Sequence, residues 1–285
     1  MRYLIILILM PGIQFLTGRW CQEFLPETLL FWKLYIRFFS AQILSILIPL
    51  IFVYPKDKFL AEDDFKIKKY SDLVRFSLLG VCLQFIGTAL NYPLSLFLQY
   101  LGYSLPNSVP PALTGIEFFV QTLVVCLTPA VLEEVLFRRF IYNRIAGYSH
   151  QSAIFFSALF FAMAHFDFYN LMATFFIGLT LGVLRSRNIS VLLCILIHFT
   201  TNLTANLLNV GFTNPFFLEL FERYYPLSIL FFGVLFFALL PKKDIPQGEQ
   251  IVLPKPRGKF YRKLLKNPLF YGYCILFIVL GVTRL

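Results

Sequence analysis

Two adjacent carboxylates and an arginine, in the stretch Glu133-Glu134-Val135-Leu136-Phe137-Arg138, interrupt an apolar run that begins near Leu113. An ionisable side chain at membrane depth is costly unless it is paired or faces water, so it marks a functional site by default. On a helix, Glu134 and Arg138 are four residues apart and can form an ion pair, whereas Glu133 is turned away by about 100°. The pattern predicts one anchored carboxylate and one free carboxylate, and a free, partly desolvated carboxylate suits a general base.

The three histidines of the chain differ in their surroundings. His150 lies in a polar stretch, and we interpret it as a solvated loop residue. His165 ends the apolar segment Phe161-Ala162-Met163-Ala164-His165, and His198 lies within an apolar run four residues before Asn202, so that His198 and Asn202 share a helix face. Buried polar residues can simply join helices by hydrogen bonds. Three apolar segments that each present polar side chains nevertheless favour a reactive site.

These residue types suit the hydrolysis of a carbonyl compound. Glu133 can take a proton from a water that a neutral His165 holds on its other side, while His198 and Asn202 donate hydrogen bonds to the oxygen that becomes negative. No cofactor is required by this set. A divalent metal such as zinc is the open alternative, because Glu133, His165 and His198 supply the carboxylate and two imidazoles of a catalytic zinc site. Asn202 is a poor zinc ligand and favours the metal-free version.

The composition predicts a membrane protein. Of the 285 residues, 58% are hydrophobic and only 14% are charged, whereas soluble domains are about a quarter charged. The apolar runs are continuous rather than alternating, which favours helices over a barrel. We therefore predict an all-α, polytopic helical membrane protein that forms a single membrane-embedded domain over residues 1–285, with its catalytic core at about 113–209. The candidate spans are Tyr3–Leu16, Leu34–Tyr54, Phe76–Leu101, Leu113–Phe137, Gln151–His165, Tyr169–Leu184, Ile189–Asn209, Tyr225–Leu240 and Pro268–Val282.

This gives about nine transmembrane helices, with eight as the alternative count because the first and fifth spans are short. Strict alternation of the spans places twenty of the 25 lysines and arginines on one side. By the positive-inside rule, the N-terminus and the basic loops Lys56–Arg75 and Pro241–Lys266 are cytoplasmic. We interpret the basic residues as topology signals and lipid contacts, so the expected partners are membrane lipid and a membrane-associated peptide or protein substrate, and no nucleic acid is expected. The five cysteines lack a CxxC spacing, so neither a disulfide framework nor a thiolate metal site is predicted.

The segments EEVLFR, FAMAH and HFTTN resemble, in this order, the EExxxR, FxxxH and HxxxN/D motifs of the CAAX protease and bacteriocin-processing (CPBP, or Abi) family. This family of intramembrane endopeptidases includes the Ras-converting CAAX prenyl endopeptidases. The resemblance covers about Leu113 to Asn209. It implies that Glu133 activates the water, that Glu134 and Arg138 support the site, that His165 is the second catalytic partner, and that His198 and Asn202 stabilise the oxyanion.

The function predicted from these observations is that of a multi-pass intramembrane endopeptidase of the cell membrane, of the bacterial plasma membrane type. The sequence has no HExxH motif and no GxGD motif, which the zinc and aspartyl types of intramembrane protease need. Two alternatives stay open. One is a membrane transporter with an inward-facing polar site, and the other is a non-catalytic bacteriocin-immunity or scaffold protein.

The spans, taken as straight helices, place Glu133, His165 and His198 at different depths. We therefore expect the fourth helix to continue past Arg138 to about Ile145, which lowers the start of the fifth. The Glu133 carboxylate should then lie within about 5 Å of the His165 ring, a water's reach. The site should form one cavity within the membrane that opens to the cytoplasm.

Overall fold

The computed structural model of the chain describes residues 2–25, 30–53, 65–67, 69–103, 109–241 and 257–283. Within these ranges, every regular element is helical and there is no strand. The helices are α1 (Tyr3–Phe24), α2 (Leu30–Val53), α3 (Tyr70–Tyr100), α4 (Gly115–Ala146), α5 (His150–Met163), α6 (Leu171–Ser186), α7 (Val191–Gly211), α8 (Pro215–Leu239), α9 (Arg257–Leu265) and α10 (Pro268–Val282).

The predicted polytopic helical architecture is confirmed, and the structure refines the number of spans. Among the described residues, six helices are long and apolar enough to cross a membrane, and a seventh span results if α9 and α10, which meet at a bend of 65°, count as one. Each predicted span coincides with a helix, but α5 and α6 are too short to cross by themselves. The first span was predicted too short, because α1 continues through Pro11 to Phe24.

Helices α5 and α6 form a short hairpin. With 14 and 16 residues, they are about 21 and 24 Å long, whereas the hydrocarbon core is about 30 Å thick. Two glycines one turn apart on α6 allow the close packing: a Cβ atom on Gly178 would lie 2.9 Å from the Cα of Ala158, and one on Gly182 would lie 3.2 Å from the Cα of Ile154. Small residues at this spacing let membrane helices approach each other closely.

The turn of this hairpin, residues 164–170, satisfies its polar groups inside the protein. Asp167 Oδ1 accepts a hydrogen bond from the Tyr169 N–H at 2.9 Å, and its Oδ2 accepts one from Asn170 Nδ2 at 2.6 Å. Asn91 of α3 donates to Asn170 Oδ1 at 3.1 Å and accepts from the Ala173 N–H at 2.8 Å. Irregular backbone at membrane depth needs such internal partners, and Asn91 therefore ties the turn to α3.

Helix α7 packs against α3 at a small residue. A Cβ atom on Gly80 would lie 2.5 Å from the carbonyl oxygen of Ile197, so only glycine permits this approach. The Thr201 hydroxyl, one turn further along, donates to the Gly80 carbonyl oxygen at 3.1 Å. This contact fixes the part of α7 that carries His198.

The predicted side of the basic loops is not tested by the structure. Residues 56–64 of the first loop and 242–256 of the second lie outside the described ranges.

Candidate active site

The two carboxylates lie on a single α-helical segment of α4, Thr128–Glu134, between two π-helical segments, Thr122–Leu127 and Val135–Tyr142. Pro129 at the start of the α segment has no N–H to donate, which disturbs the hydrogen-bond ladder there. π-helical turns within α-helices frequently occur at functional sites. The predicted extension of this helix is confirmed, because α4 ends at Ala146.

Glu134 uses both of its carboxylate oxygens. Oε2 accepts a hydrogen bond from Arg138 Nε at 2.9 Å, with both side chains fully buried. Oε1 accepts one from His198 Nδ1 at 3.0 Å. The predicted pair with Arg138 is thus present, and the bond to His198 is an addition that the spacing of residues did not indicate. Glu134 joins α4 to α7 and holds the His198 ring in one orientation.

Phe161 of α5 packs at the centre of the polar residues. The Arg138 guanidinium lies 5.0 Å from its ring centroid. The rings of His165 and His198 both contact Phe161 edge-on, with centroids 5.0 and 5.6 Å away. Arg138 also donates from Nη1 to Ser157 Oγ at 3.5 Å. One aromatic ring therefore contacts both histidines and covers the buried cation.

His165 lies beside Glu133 because of the lengths of the helices. Helix α5 follows α4 after three residues, so it runs back along α4, and its 14 residues end near the level of Glu133. His165 Nδ1 lies 2.8 Å from the Phe161 carbonyl oxygen. A carbonyl can only accept, so Nδ1 carries a proton and donates. The other ring nitrogen, Nε2, lies 3.9 Å from Glu133 Oε2, which confirms the predicted proximity.

The Glu133 side chain is 10% exposed. Its Oε2 atom has no hydrogen-bond partner among the residues that the structure describes. The separation of 3.9 Å is too long for a direct hydrogen bond, and one water can bridge the two groups. The predicted contrast between an anchored Glu134 and a free Glu133 therefore agrees with the geometry.

Two cavities meet at Glu133 and His165. Cavity 1, of about 230 Å³, lies against α1 and α2, and its other polar lining residues are Gln14, Arg37 and Gln42. Cavity 2, of about 440 Å³, lies between α4 and α7 and is lined by His198, Asn202 and further amide side chains. Glu133, His165 and Gln42 line both cavities. Of the predicted site residues, Glu133, His165, His198 and Asn202 line a cavity, Glu134 holds His198, and Arg138 holds Glu134.

The side of the membrane to which the cavity opens stays a prediction, whereas the end of α4 towards which it extends is given by its lining residues. Cavity 2 extends from Glu133 to Asn209 and Val109, towards the Gly115 end of α4. The other end of α4 is closed, because its fully buried side chains, among them Phe137 and Ile141, fill the bundle. That closed end carries Arg138, Arg139 and Arg144, which mark the side predicted to be cytoplasmic.

With this geometry in place, the chain can be compared with known proteins. Residues 115–204 match the family model for type II CAAX prenyl endopeptidase Rce1-like proteins. The match covers about a third of the chain and contains every predicted site residue. It confirms the resemblance that the three motifs indicated. No curated protein and no solved structure matches the chain.

The Rce1-like segment does not present a ready metal site. Among the described residues, no three histidine, cysteine, aspartate or glutamate side chains are arranged so that they could hold one ion. One contribution comes from His198, whose Nδ1 is bound to Glu134. In the described part of the chain, Glu133, His165 and His198 therefore do not come together as ligands of one ion.

Sequence reasoning missed part of the Rce1-like segment's polar lining. Asn206 and Gln121 line cavity 2, and neither was predicted as a site residue. The signal for Asn206 was present, because it continues the four-residue spacing of His198 and Asn202 along α7. Gln121 gave no such signal, since its place opposite α7 depends on how α4 packs. His150, interpreted as solvated, is exposed and contacts Tyr142 OH through Nδ1 at 3.0 Å.

Proposed function

We propose that the protein is an intramembrane endopeptidase that hydrolyses a peptide bond of a membrane-associated substrate with a water activated by Glu133. The observation that carries the proposal is the pair of Glu133 Oε2 and His165 Nε2, 3.9 Å apart at the meeting point of two cavities. The Rce1-like match supports a peptidase of the CAAX type. A CAAX-type, prenylated peptide is accordingly the first substrate to test.

The reaction begins with a water between Glu133 and His165. Glu133 takes one proton from the water, and His165 Nε2, whose ring is oriented through the Phe161 carbonyl, accepts a hydrogen bond from it. The oxygen of the water forms a bond to the carbonyl carbon of the substrate. The carbonyl oxygen becomes negative and is met by donors from α7.

Asn202 and His198 supply those donors. Both line cavity 2, and the Asn202 amide has no hydrogen bond to a described residue. His198 Nδ1 is held by Glu134, so its Nε2–H serves the oxyanion when the ring carries both protons. The bond to the leaving nitrogen then breaks, and Glu133 returns its proton to that nitrogen.

The test is cleavage of a membrane-anchored, prenylated CAAX peptide by the purified protein in lipid nanodiscs, performed in water labelled with ¹⁸O. We expect one ¹⁸O atom in the new carboxylate. Glu133→Gln and His165→Ala should lower kcat by at least about a hundredfold, the usual size of a lost general base. Glu117→Gln is the matched control, because Glu117 caps the start of the same helix outside both cavities and should leave kcat unchanged. Turnover by Glu133→Gln at the wild-type rate would overturn the proposal.

Dialysis against a chelator tests the alternative that the reaction uses a divalent metal. Hydrolysis by a Glu133-activated water should survive the chelator. Loss of cleavage that added zinc restores would instead support the metal set of Glu133, His165 and His198.

A further inference from the structure

Cavity 2 contains two buried amide groups that the proposed chemistry does not use. Asn206 of α7 is 7% exposed, and its Nδ2 atom has no hydrogen-bond partner among the described residues. Gln121 of α4 is 1% exposed, and its Oε1 atom likewise has none within the described part of the chain. Buried polar atoms are almost always paired, so two unpaired ones in one cavity need an explanation.

The atom type of the unpaired group on Gln121 is fixed by chemistry. Gln121 Nε2 donates to the carbonyl oxygen of Pro110 at 3.0 Å. A carbonyl can only accept, so the amide of Gln121 cannot be flipped, and the group left over is the acceptor Oε1. Asn206 presents the donor Nδ2. The cavity therefore offers one donor and one acceptor, which complement the C=O and N–H of a peptide main chain.

The same wall of the cavity already binds a main chain. Asn209, three residues beyond Asn206 on α7, donates from Nδ2 to the carbonyl oxygen of Val109 at 3.0 Å. Together with the bond from Gln121 to Pro110, this shows side-chain amides of α4 and α7 holding a non-helical segment of this chain by its carbonyls. The unpaired amides lie between that segment and the Glu133–His165 pair, in one continuous cavity.

We propose that Asn206 and Gln121 bind the main chain of the substrate peptide, with a substrate C=O accepting from Asn206 Nδ2 and a substrate N–H donating to Gln121 Oε1. Asn206 lies two helical turns beyond His198, or about 12 Å. That distance corresponds to about four residues of extended peptide. The substrate is thus held about four residues from the scissile bond, by contacts that do not depend on its side chains. The position of the scissile bond rests on the proposed function, whereas the main-chain contacts do not.

The experiment measures binding rather than turnover, in a Glu133→Gln background. Its probe is a pool of fluorescent, membrane-anchored peptides with randomised sequence, half of them prenylated and half acylated, and the readout is fluorescence anisotropy. Asn206→Leu and Gln121→Leu should each raise Kd about tenfold, the cost of leaving one main-chain group unpaired. Gln84→Leu is the matched control, because Gln84 lies on α3 and bonds to Thr88 of its own helix, and it should leave Kd unchanged.

N-methylation identifies the contact itself. Methylating one peptide nitrogen at a time should reveal one position whose methylation weakens binding to the parent but not to Gln121→Leu. Asn209→Leu, which loosens the Val109 contact without removing an unpaired amide, should retain that position-specific effect. Folding of every variant is checked by its thermal unfolding in detergent.

The outcomes separate this inference from the proposed function. Binding with these properties by a protein that does not hydrolyse the peptides would leave the inference standing and overturn the proposed function. Hydrolysis by the wild type together with an unchanged Kd for Asn206→Leu and Gln121→Leu would support the proposed function and overturn the inference. Absence of binding by the whole pool would overturn the inference, since main-chain contacts should accept many sequences.

Discussion

Glu134 Oε1 lies 3.0 Å from His198 Nδ1, although the two residues are 64 positions apart in the chain. The bond connects the EEVLFR motif to the HFTTN motif. The other oxygen of Glu134 holds Arg138, which belongs to the same EEVLFR motif. Glu134 thereby orients the His198 ring, which lines cavity 2. The contact keeps a proton on Nδ1 and leaves Nε2 as the ring nitrogen that does not bond to Glu134.

Glu134→Ala should therefore damage the fold as well as the reaction. The change leaves the Arg138 guanidinium buried and unpaired, and breaking a buried ion pair costs about 3–5 kcal/mol. We expect a large loss of thermal stability in detergent and loss of activity in the protein that remains. Glu219→Ala is the control, because Glu219 forms the same i,i+4 pair with Arg223 at the surface, where both side chains are more than half exposed. Its effect should stay within about 1 kcal/mol. Equal destabilisation by the two variants would contradict the structural role of Glu134.

Asn91→Ala should impair catalysis from a position outside both cavities. Asn91 holds Asn170 and the Ala173 N–H, and loosening this end of the hairpin turn lets His165 move relative to Glu133. We expect kcat to fall while expression is retained, with faster hydrogen exchange confined to residues 164–174. Gln84→Ala on the same helix removes an amide that only bonds to Thr88. If Asn91→Ala and Gln84→Ala turned over substrate at the same rate, the turn would not depend on Asn91.

The sequence predicted which residues form the site better than it predicted how they contact one another. The ion pair of Glu134 with Arg138 could be predicted because both lie on one helix, where spacing fixes direction. The approach of His165 to Glu133 could be predicted once α4 was extended. The contact of Glu134 with His198 could not, since it depends on how closely α7 packs against its neighbours, and that is decided by Gly80.

The short length of α5 and α6 could not be predicted for a related reason. The apolar runs of α5 and α6 predict helices, but a run of apolar residues does not distinguish a helix that crosses the membrane from one that ends inside the protein. The turn between them contains Asp167 and Asn170, and only the packed structure shows that they bond to each other and that Asn170 bonds to α3. Which end of α4 is closed could not be predicted, because the large side chains that close it look, in the sequence, like any apolar run.

Gly80→Ala should destabilise the bundle at the α3–α7 contact. The added Cβ would lie 2.5 Å from the Ile197 carbonyl oxygen, so the backbones must move apart. Overpacking of this kind costs about 1–3 kcal/mol, and the movement displaces His198, the residue next to Ile197. We expect a lower unfolding temperature and a lower kcat. Gly233→Ala in α8 is the matched control, because nothing lies within 4 Å of its added Cβ, and alanine should be neutral or stabilising there by up to about 1 kcal/mol. An unfolding temperature for Gly80→Ala as high as that for Gly233→Ala would exclude the close contact.

The last prediction concerns the side of the membrane from which the cavity is reached. The distribution of basic residues predicts that the Ala146 end of α4 is cytoplasmic, and cavity 2 extends towards the Gly115 end. Together they predict access from the extracytoplasmic side. In a cysteine-free background, Leu113→Cys, at an exposed position, should react with a membrane-impermeant maleimide in intact cells. Gly147→Cys, just beyond the other end of α4, should react only after permeabilisation. Asn209→Cys, which lines cavity 2, should also react from outside, at a rate that a bound peptide lowers. Labelling of Gly147→Cys in intact cells, with Leu113→Cys protected, would reverse the orientation and place the opening of the cavity in the cytoplasm.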